Sequence, residues 1–210
     1  MDKDRILESV LKGDADVLEV QVKEALDSGL AANDLVTNHL TPAMREVGRL
    51  FEAGELYIPE MMLSAIAVRR ALAILRPALV ESDLPSWGVV VAGTVQGDLH
   101  DIGKSLVCMM LEGAGFEVHD LGVNVPPERF VEAVTSLKPK IVAMSALLTT
   151  TIPKMEVTIQ ALTEAGVRQG LIIMVGGAAV TPEFAKSIGA DGYAYDAAGA
   201  ARRAEELASA

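Results

Sequence analysis

Through its first part the chain repeats apolar residues every three or four positions, and beyond about residue 85 short unbroken apolar runs take over. Ile6, Leu7, Val10 and Leu11 line one side of a helix from Asp2 to about Leu11. Asp14 or Asp16 suits the cap of a second, in which Val17, Leu18, Val22, Ala25 and Leu26 recur until Gly29 stops it. Asn33-Asp34 is expected to cap a third running towards Gly54 through Leu35, Val36, Leu40, Met44, Val47, Leu50 and Phe51, with Pro42 bending or restarting it. Pro59 sits where a fourth begins, and Met61, Met62, Ala65, Ile66, Val68, Leu72 and Leu75 continue it. Four consecutive amphipathic helices with short connections make a bundle.

Ser82-Asp-Leu-Pro-Ser86 breaks the helical pattern and reads as a linker, which divides the chain into a helical domain at 1–85 and a second domain at 86–210. Strands are expected at 88–93, 116–120, 140–145 and 171–175, with a weaker one near 191–194. Helices are expected at 102–114, 127–137, 153–166, 181–188 and 197–208. Such alternation implies a doubly wound parallel sheet of five strands with helices on both faces, flavodoxin-like or Rossmann-like in class.

Composition narrows the function. Of 210 residues half are hydrophobic and 4% aromatic, as befits closely packed helices around a buried sheet. The net charge of −11, with no basic run longer than Arg69-Arg70 or Arg202-Arg203, argues against nucleic acid as a partner. The start is charged and no apolar run approaches the ~20 residues of a membrane span, so a soluble cytoplasmic protein is expected. Cys108 is the one cysteine, which excludes an internal disulfide and a multi-cysteine metal site.

The chemistry gathers at Gly97-Asp98-Leu99-His100-Asp101-Ile102-Gly103-Lys104, between the first strand and its helix. Asp98 and His100 are two residues apart and cannot share a helical face. On a loop, the carboxylate can hold imidazole Nδ1 so that Nε2 points outward, the usual setting of a metal-bound histidine. Taken alone, Asp98 also suits an N-cap for the helix at Ile102. In a flavodoxin-like sheet the strand order reverses between the first and third strands, and ligands bind there. That brings Ser145-Ala146-Leu147-Leu148-Thr149-Thr150-Thr151 beside the Asp98/His100 turn. Gly176-Gly177, after the fourth strand, offers bare backbone against which something flat can lie. By themselves, hydroxyls at a strand end and paired glycines are ordinary turn chemistry.

In order and in spacing these three motifs resemble the corrinoid proteins of methyltransferase systems, and the cap and cobalamin-binding domains of cobalamin-dependent methionine synthase. The family pattern D-x-H-x-x-G, S-x-L and G-G is met by Asp98-Leu-His100-Asp-Ile-Gly103, Ser145-Ala-Leu147 and Gly176-Gly177. Val47-Gly48-Arg-Leu50-Phe51-Glu-Ala-Gly54-Glu-Leu-Tyr57-Ile-Pro59-Glu-Met-Met-Leu-Ser-Ala65 resembles the helical cap of the same family, so the likeness spans essentially the whole chain.

The resemblance implies a cobalamin held base-off and His-on, with His100 ligating cobalt in place of the cofactor's own nucleotide base. It assigns Asp98 to His100 Nδ1, and gives Thr151 the place of the hydroxyl that continues the relay. Gly97, Leu99, Asp101, Ile102 and Leu147 belong to the cofactor-binding loops on the same grounds. Ser145 and Thr149 are implied contacts of the displaced nucleotide tail, for which Gly103, Gly176 and Gly177 make room. Tyr57, Met61 and Met62 are implied over the upper face, although a Met pair at this spacing is more often core.

The activity implied is that of a methyl carrier rather than a complete enzyme: cobalt(I) accepts a methyl group from a substrate-specific methyltransferase and a second methyltransferase receives it. A reductive activation protein is an implied further partner. A cobalamin-binding sensor or regulatory module is the alternative, but no basic helix-turn-helix output is present. The small subunit of a carbon-skeleton mutase shares the sheet motif without a helical cap. His39 and His119 read as solvent-facing or core-edge residues, and Cys108 as packing. Lys104 has no assigned role.

Overall fold

The computed structural model describes residues 3–78 and 87–209, in two compact units, the first comprising the residues ahead of Trp87 together with Glu112–Gly115 and the second the rest from Trp87 onward. The expected linker, Ser82 to Ser86, and the boundary near residue 85 lie outside the described residues.

The first unit is helical. α1 (Lys3–Leu11) buries Ile6 and Val10, and α2 (Ala15–Asp27) buries Leu18, Val22 and Ala25. Asp14 is the cap of α2, accepting the Val17 N–H. The third pattern breaks into α3 (Ala32–Leu35), a π-helical turn (Val36–Leu40) and α4 (Thr41–Glu52). Pro42 has no N–H to give in the ordinary helical register, and the wider turn is closed instead by Thr41 N–H donating to the Val36 carbonyl. Asn33 and Asp34 do not cap this stretch: Ala31 holds the cap position, because burying Ala32, Leu35 and Val36 sets the start two or three residues earlier. Both side chains instead accept from the next turn, Asn33 from Thr37 Oγ1 and Asp34 from Asn38 Nδ2. α5 (Ile58–Leu75) carries Pro59 in its first turn and buries Met61, Ala65, Val68 and Leu75. Arg70 ties it to α2 through Asp16 and Glu19.

The second unit is a parallel sheet with strand order β2-β1-β3-β4-β5, the flavodoxin-like order expected. Its elements are β1 (Val89–Thr94), α6 (Ile102–Gly113), β2 (Glu117–Asp120), α7 (Pro127–Leu137), β3 (Ile141–Ser145), α8 (Pro153–Glu164), β4 (Ile172–Gly176), α9 (Pro182–Ser187), β5 (Gly192–Ala194) and α10 (Ala197–Ser209). Every expected strand and helix of this half is present. The central strands are almost wholly apolar because helices cover both faces of a parallel sheet, whereas the edge strand β2 alternates outward with Glu117 and His119. His119 pairs with Glu117 on that edge. Of the other two residues given bland readings, His39 falls in the π turn with 11% of its side chain exposed, and Cys108 is buried.

Register puts the ends of β1 and β3 level, Thr94 beside Ser145 and Ser145 beside Gly176. The three loops that leave these ends therefore start in one row. Among the described residues no helix is long and apolar enough to cross a membrane.

Phe130 of α7 is fully buried, and its ring stands against the bare backbone of Gly93 in β1, where an added Cβ would come within 2.8 Å of it. Phe130→Ala is expected to destabilise the sheet unit by about 3–5 kcal/mol, measured by urea unfolding. A loss under about 1 kcal/mol would show that this contact does not seat α7 on the sheet.

Candidate functional site

β1 ends in Thr94, Val95 bridges to Val125, and the chain then turns through Gly97, whose φ of +84° suits glycine. The turn drops Asp98 into the interior, fully buried, and leaves His100 with 52% of its side chain exposed. A buried carboxylate needs donors on both oxygens. Oδ1 accepts from the His100 backbone N–H at 3.1 Å and from His100 Nδ1 at 2.7 Å. Oδ2 accepts from the Leu147 N–H at 2.7 Å and the Leu148 N–H at 3.3 Å, and Thr151 Oγ1 lies 2.7 Å away. Thr151 Oγ1 is also 2.9 Å from the Leu148 carbonyl. With one hydrogen to give, it favours the charged carboxylate.

Burial by itself raises the Asp98 carboxyl, but the Thr151 hydroxyl, the Leu147 N–H and the His100 ring and backbone N–H together outweigh it. The net result holds Asp98 far below the usual carboxylate range. Ionised, it can only accept, so Nδ1 is the donor in this contact and Nε2 is the ring nitrogen turned away from the carboxylate. No described residue hydrogen-bonds that nitrogen. Asp98 is therefore the partner of His100 and not the N-cap of α6.

The β3–α8 loop supplies Leu147, Leu148 and Thr151 to Asp98, as the switch-point argument required. Ser145 is half-buried and Thr149 exposed, and neither side chain reaches the Asp98 cluster. Leu99 and Ile102 flank His100 with 71% and 74% exposure, while Asp101 and Gly103 are exposed beside them.

The glycines divide into two kinds. A Cβ on Gly177, at φ +133°, would come within 1.9 Å of the Ala146 carbonyl oxygen, so this position is glycine for the sake of the sheet's own backbone. Gly176 is tight as well, 3.1 Å from the Ala194 oxygen. By contrast, a Cβ on Gly103 meets nothing within 4 Å, and the surface beside His100 is open there. In the helical unit, Tyr57 is 69% exposed, Met62 is half-buried, and Met61, at 1%, is part of the core and offers a ligand no surface.

Sequence reasoning missed a second set of supports. Thr94 Oγ1 donates to the His100 carbonyl at 2.9 Å, and Asn124, in the β2–α7 loop, accepts from Gly97 N–H at 2.7 Å. Lys104, left without a role, is 5% exposed and ion-paired to Asp120 at the end of β2. Only its position in the first turn of α6, above an edge strand, carried a hint of this.

Among the described residues no group of three or more His, Cys, Asp or Glu side chains converges as a metal cage. A single oriented imidazole over an open apolar surface, with Leu99 and Ile102 beside it, suits a metal whose other positions are filled by a macrocycle.

Comparison with known proteins gives the same direction. A B12 binding domain family matches residues 88–202, and a second B12 binding domain family matches 3–76. The Dimethylamine corrinoid protein 1 of Methanosarcina acetivorans is 42% identical over 98% of this chain and 91% of its own length. The Trimethylamine corrinoid protein of Methanosarcina barkeri is 42% identical over 90% and 88%. Among solved structures, a cobalamin-binding protein from Desulfitobacterium hafniense superposes with a TM-score of 0.82 at 30% identity, covering 98% of both chains. The methanol:cobalamin methyltransferase complex MtaBC from Methanosarcina barkeri gives 0.86 at 30%, covering 98% of this chain and 78% of that one.

The low Asp98 pKa fixes a sign for acid stability. The unfolded carboxyl titrates at about 3.9, so Asp98 contributes its full stabilisation above that pH and loses it as pH falls below. Asp98→Asn is expected to cost the sheet unit about 2–4 kcal/mol at neutral pH, with the gap to wild type narrowing below about pH 4. Urea unfolding across pH checks both, and a gap that stays constant into acid would refute the ionised, fully satisfied Asp98.

Proposed function

The chain belongs to the B12-binding corrinoid proteins of methyltransferase systems, and on that premise we propose that it is a methyl carrier whose His100 would ligate the cobalt of a base-off cobalamin. The observation that carries this reading is the 2.7 Å contact of His100 Nδ1 with the buried Asp98 carboxylate, which takes up that nitrogen and leaves Nε2 to serve as a ligand. Bound there, the corrinoid supplies a cobalt centre that takes up a methyl group and gives it up again.

The residues divide the work. Asp98 fixes the ring and raises its basicity, and Thr151 with the Leu147 N–H holds the carboxylate ionised. His100 would hold the metal through Nε2, where a proton and the metal would compete for one lone pair. Leu99, Ile102 and Leu147 offer apolar surface under the macrocycle, with Gly97 and Asp101 completing that loop. Ser145 and Thr149 are assigned to polar contact with the displaced nucleotide tail, for which the open backbone at Gly103 leaves room, while Gly176 and Gly177 are taken up by the sheet's own packing. From the helical unit, Tyr57 and Met62 have surface to give to a cofactor.

As a carrier this chain works between two enzymes, a substrate-specific methyltransferase and a second corrinoid-dependent one, with a reductive activation protein as a further partner. The likeness to a subunit of the methanol:cobalamin methyltransferase complex supports the first of these. The single cysteine suits the reducing cytoplasm as the place of work.

Protein reconstituted with hydroxocobalamin is expected to be coloured, and labelling histidine with a heavy nitrogen isotope to alter the nitrogen splitting of its cobalt(II) electron paramagnetic resonance. His100→Ala should abolish that change. Splitting indifferent to the label in wild type would mean the cofactor keeps its own base. Gly103→Leu, which fills open space, is expected to leave the unfolding midpoint of the apoprotein in place and to weaken cobalamin binding by about tenfold or more. Unchanged affinity would move the tail away from Gly103.

A further inference from the structure

The His100 loop is gripped from a second side, and the residue that grips it lies outside the three motifs. Asn124 stands in the β2–α7 loop at φ +52°, a left-handed conformation that Asn tolerates better than most side chains. Its Oδ1 accepts from the Gly97 N–H at 2.7 Å, and its own backbone N–H donates to the Asp98 carbonyl at 2.9 Å. One residue thus holds the peptide group ahead of Gly97 and the one after Asp98.

The gripping loop is itself anchored at both ends. Gly122 accepts from Thr94 N–H at 3.0 Å, and Val125 N–H donates to the Thr94 carbonyl at 2.9 Å, which docks the loop on the end of β1. Asp120, at the loop's start, takes the Gly122 N–H on Oδ1 at 2.9 Å and the Lys104 ammonium on Oδ2. Lys104 follows His100 by a single turn, so the ion pair clamps the start of α6 to the loop that carries Asn124. Removing either partner of such a pair leaves an uncompensated charge, so the pair holds its two segments together.

We propose that Asn124, anchored by the Lys104–Asp120 pair, is a positioning residue that sets how far the His100 imidazole reaches towards its metal. The β3–α8 loop orients the ring through the Asp98 carboxylate, while the β2–α7 loop fixes the height of the backbone on which Asp98 and His100 are carried. Orientation and height are separate requirements of a ligand bond, and here they are met by separate loops. The assignment rests on the proposed ligation by His100.

The test is the absorption spectrum of protein reconstituted with hydroxocobalamin, with wild type and His100→Ala as the ligated and unligated references. Asn124→Gly keeps the left-handed backbone and its N–H but drops the acceptor for Gly97. It is expected to move the spectrum towards that of His100→Ala and to lower cobalamin affinity by about tenfold. Asn124→Asp restores an acceptor and should return the spectrum to that of wild type. Lys104→Met, which leaves the partly exposed Asp120 rather than a buried cation unpaired, is expected to shift the spectrum in the same direction, and reads the same device should Asn124→Gly fold poorly. If wild type and His100→Ala give one spectrum, the ligation itself is wrong and this assignment falls with it. If they differ while Asn124→Gly and Lys104→Met both match wild type, only the assignment of Asn124 is overturned. Equal shifts in Asn124→Gly and Asn124→Asp also overturn it, since the acceptor would then not matter.

Discussion

One buried carboxylate decides the geometry of this site. Asp98 has no access to water, and its charge is tolerable only because donors from its own loop and the β3–α8 loop converge on it. Those donors come from chain segments some fifty residues apart, so the carboxylate joins the loops as much as it serves His100. The cost of burying a charge becomes the reason for the precision: any displacement of either loop leaves a donor or an acceptor unmatched.

The parallel sheet makes that convergence possible. Strand order β2-β1-β3-β4-β5 sets β1 beside β3, and their register brings Thr94 level with Ser145, so the two loops begin side by side. The same crossover places the β2–α7 loop on the other flank of the His100 turn, where Asn124 meets Gly97. His100 is thus exposed at its ring and held at its backbone. That combination suits the ligand role proposed for His100, with an exposed ring on a backbone that does not have to move.

The glycines illustrate how differently one residue type can serve. Gly177 answers an internal need, the close passage of the β4 end past the Ala146 carbonyl, while Gly103 faces open space and is free to answer an external one. Composition and spacing cannot separate these, because both glycines stand in equally persuasive motifs. Met61 poses the same problem in the helical unit: its spacing is that of a core residue, and core is where it lies.

The sequence by itself determined the element order of the sheet unit, its parallel sheet and the pairing of Asp98 with His100, while the place of Thr151 in that pairing came from the family resemblance. These follow from periodicity, from the switch-point rule and from motifs whose members are close together or regularly placed. Tertiary structure alone decided what reads as noise along the chain. The cap of α3 moved from Asn33-Asp34 to Ala31 because burial of Ala32 and Leu35 outweighs a local capping preference. Lys104 found Asp120, and Asn124 found Gly97, across separations at which no local pattern links donor to acceptor. Backbone hydrogen bonds from Leu147 and Leu148 were equally hidden, since every residue but proline carries the same N–H and only the fold chooses which ones point at a buried charge.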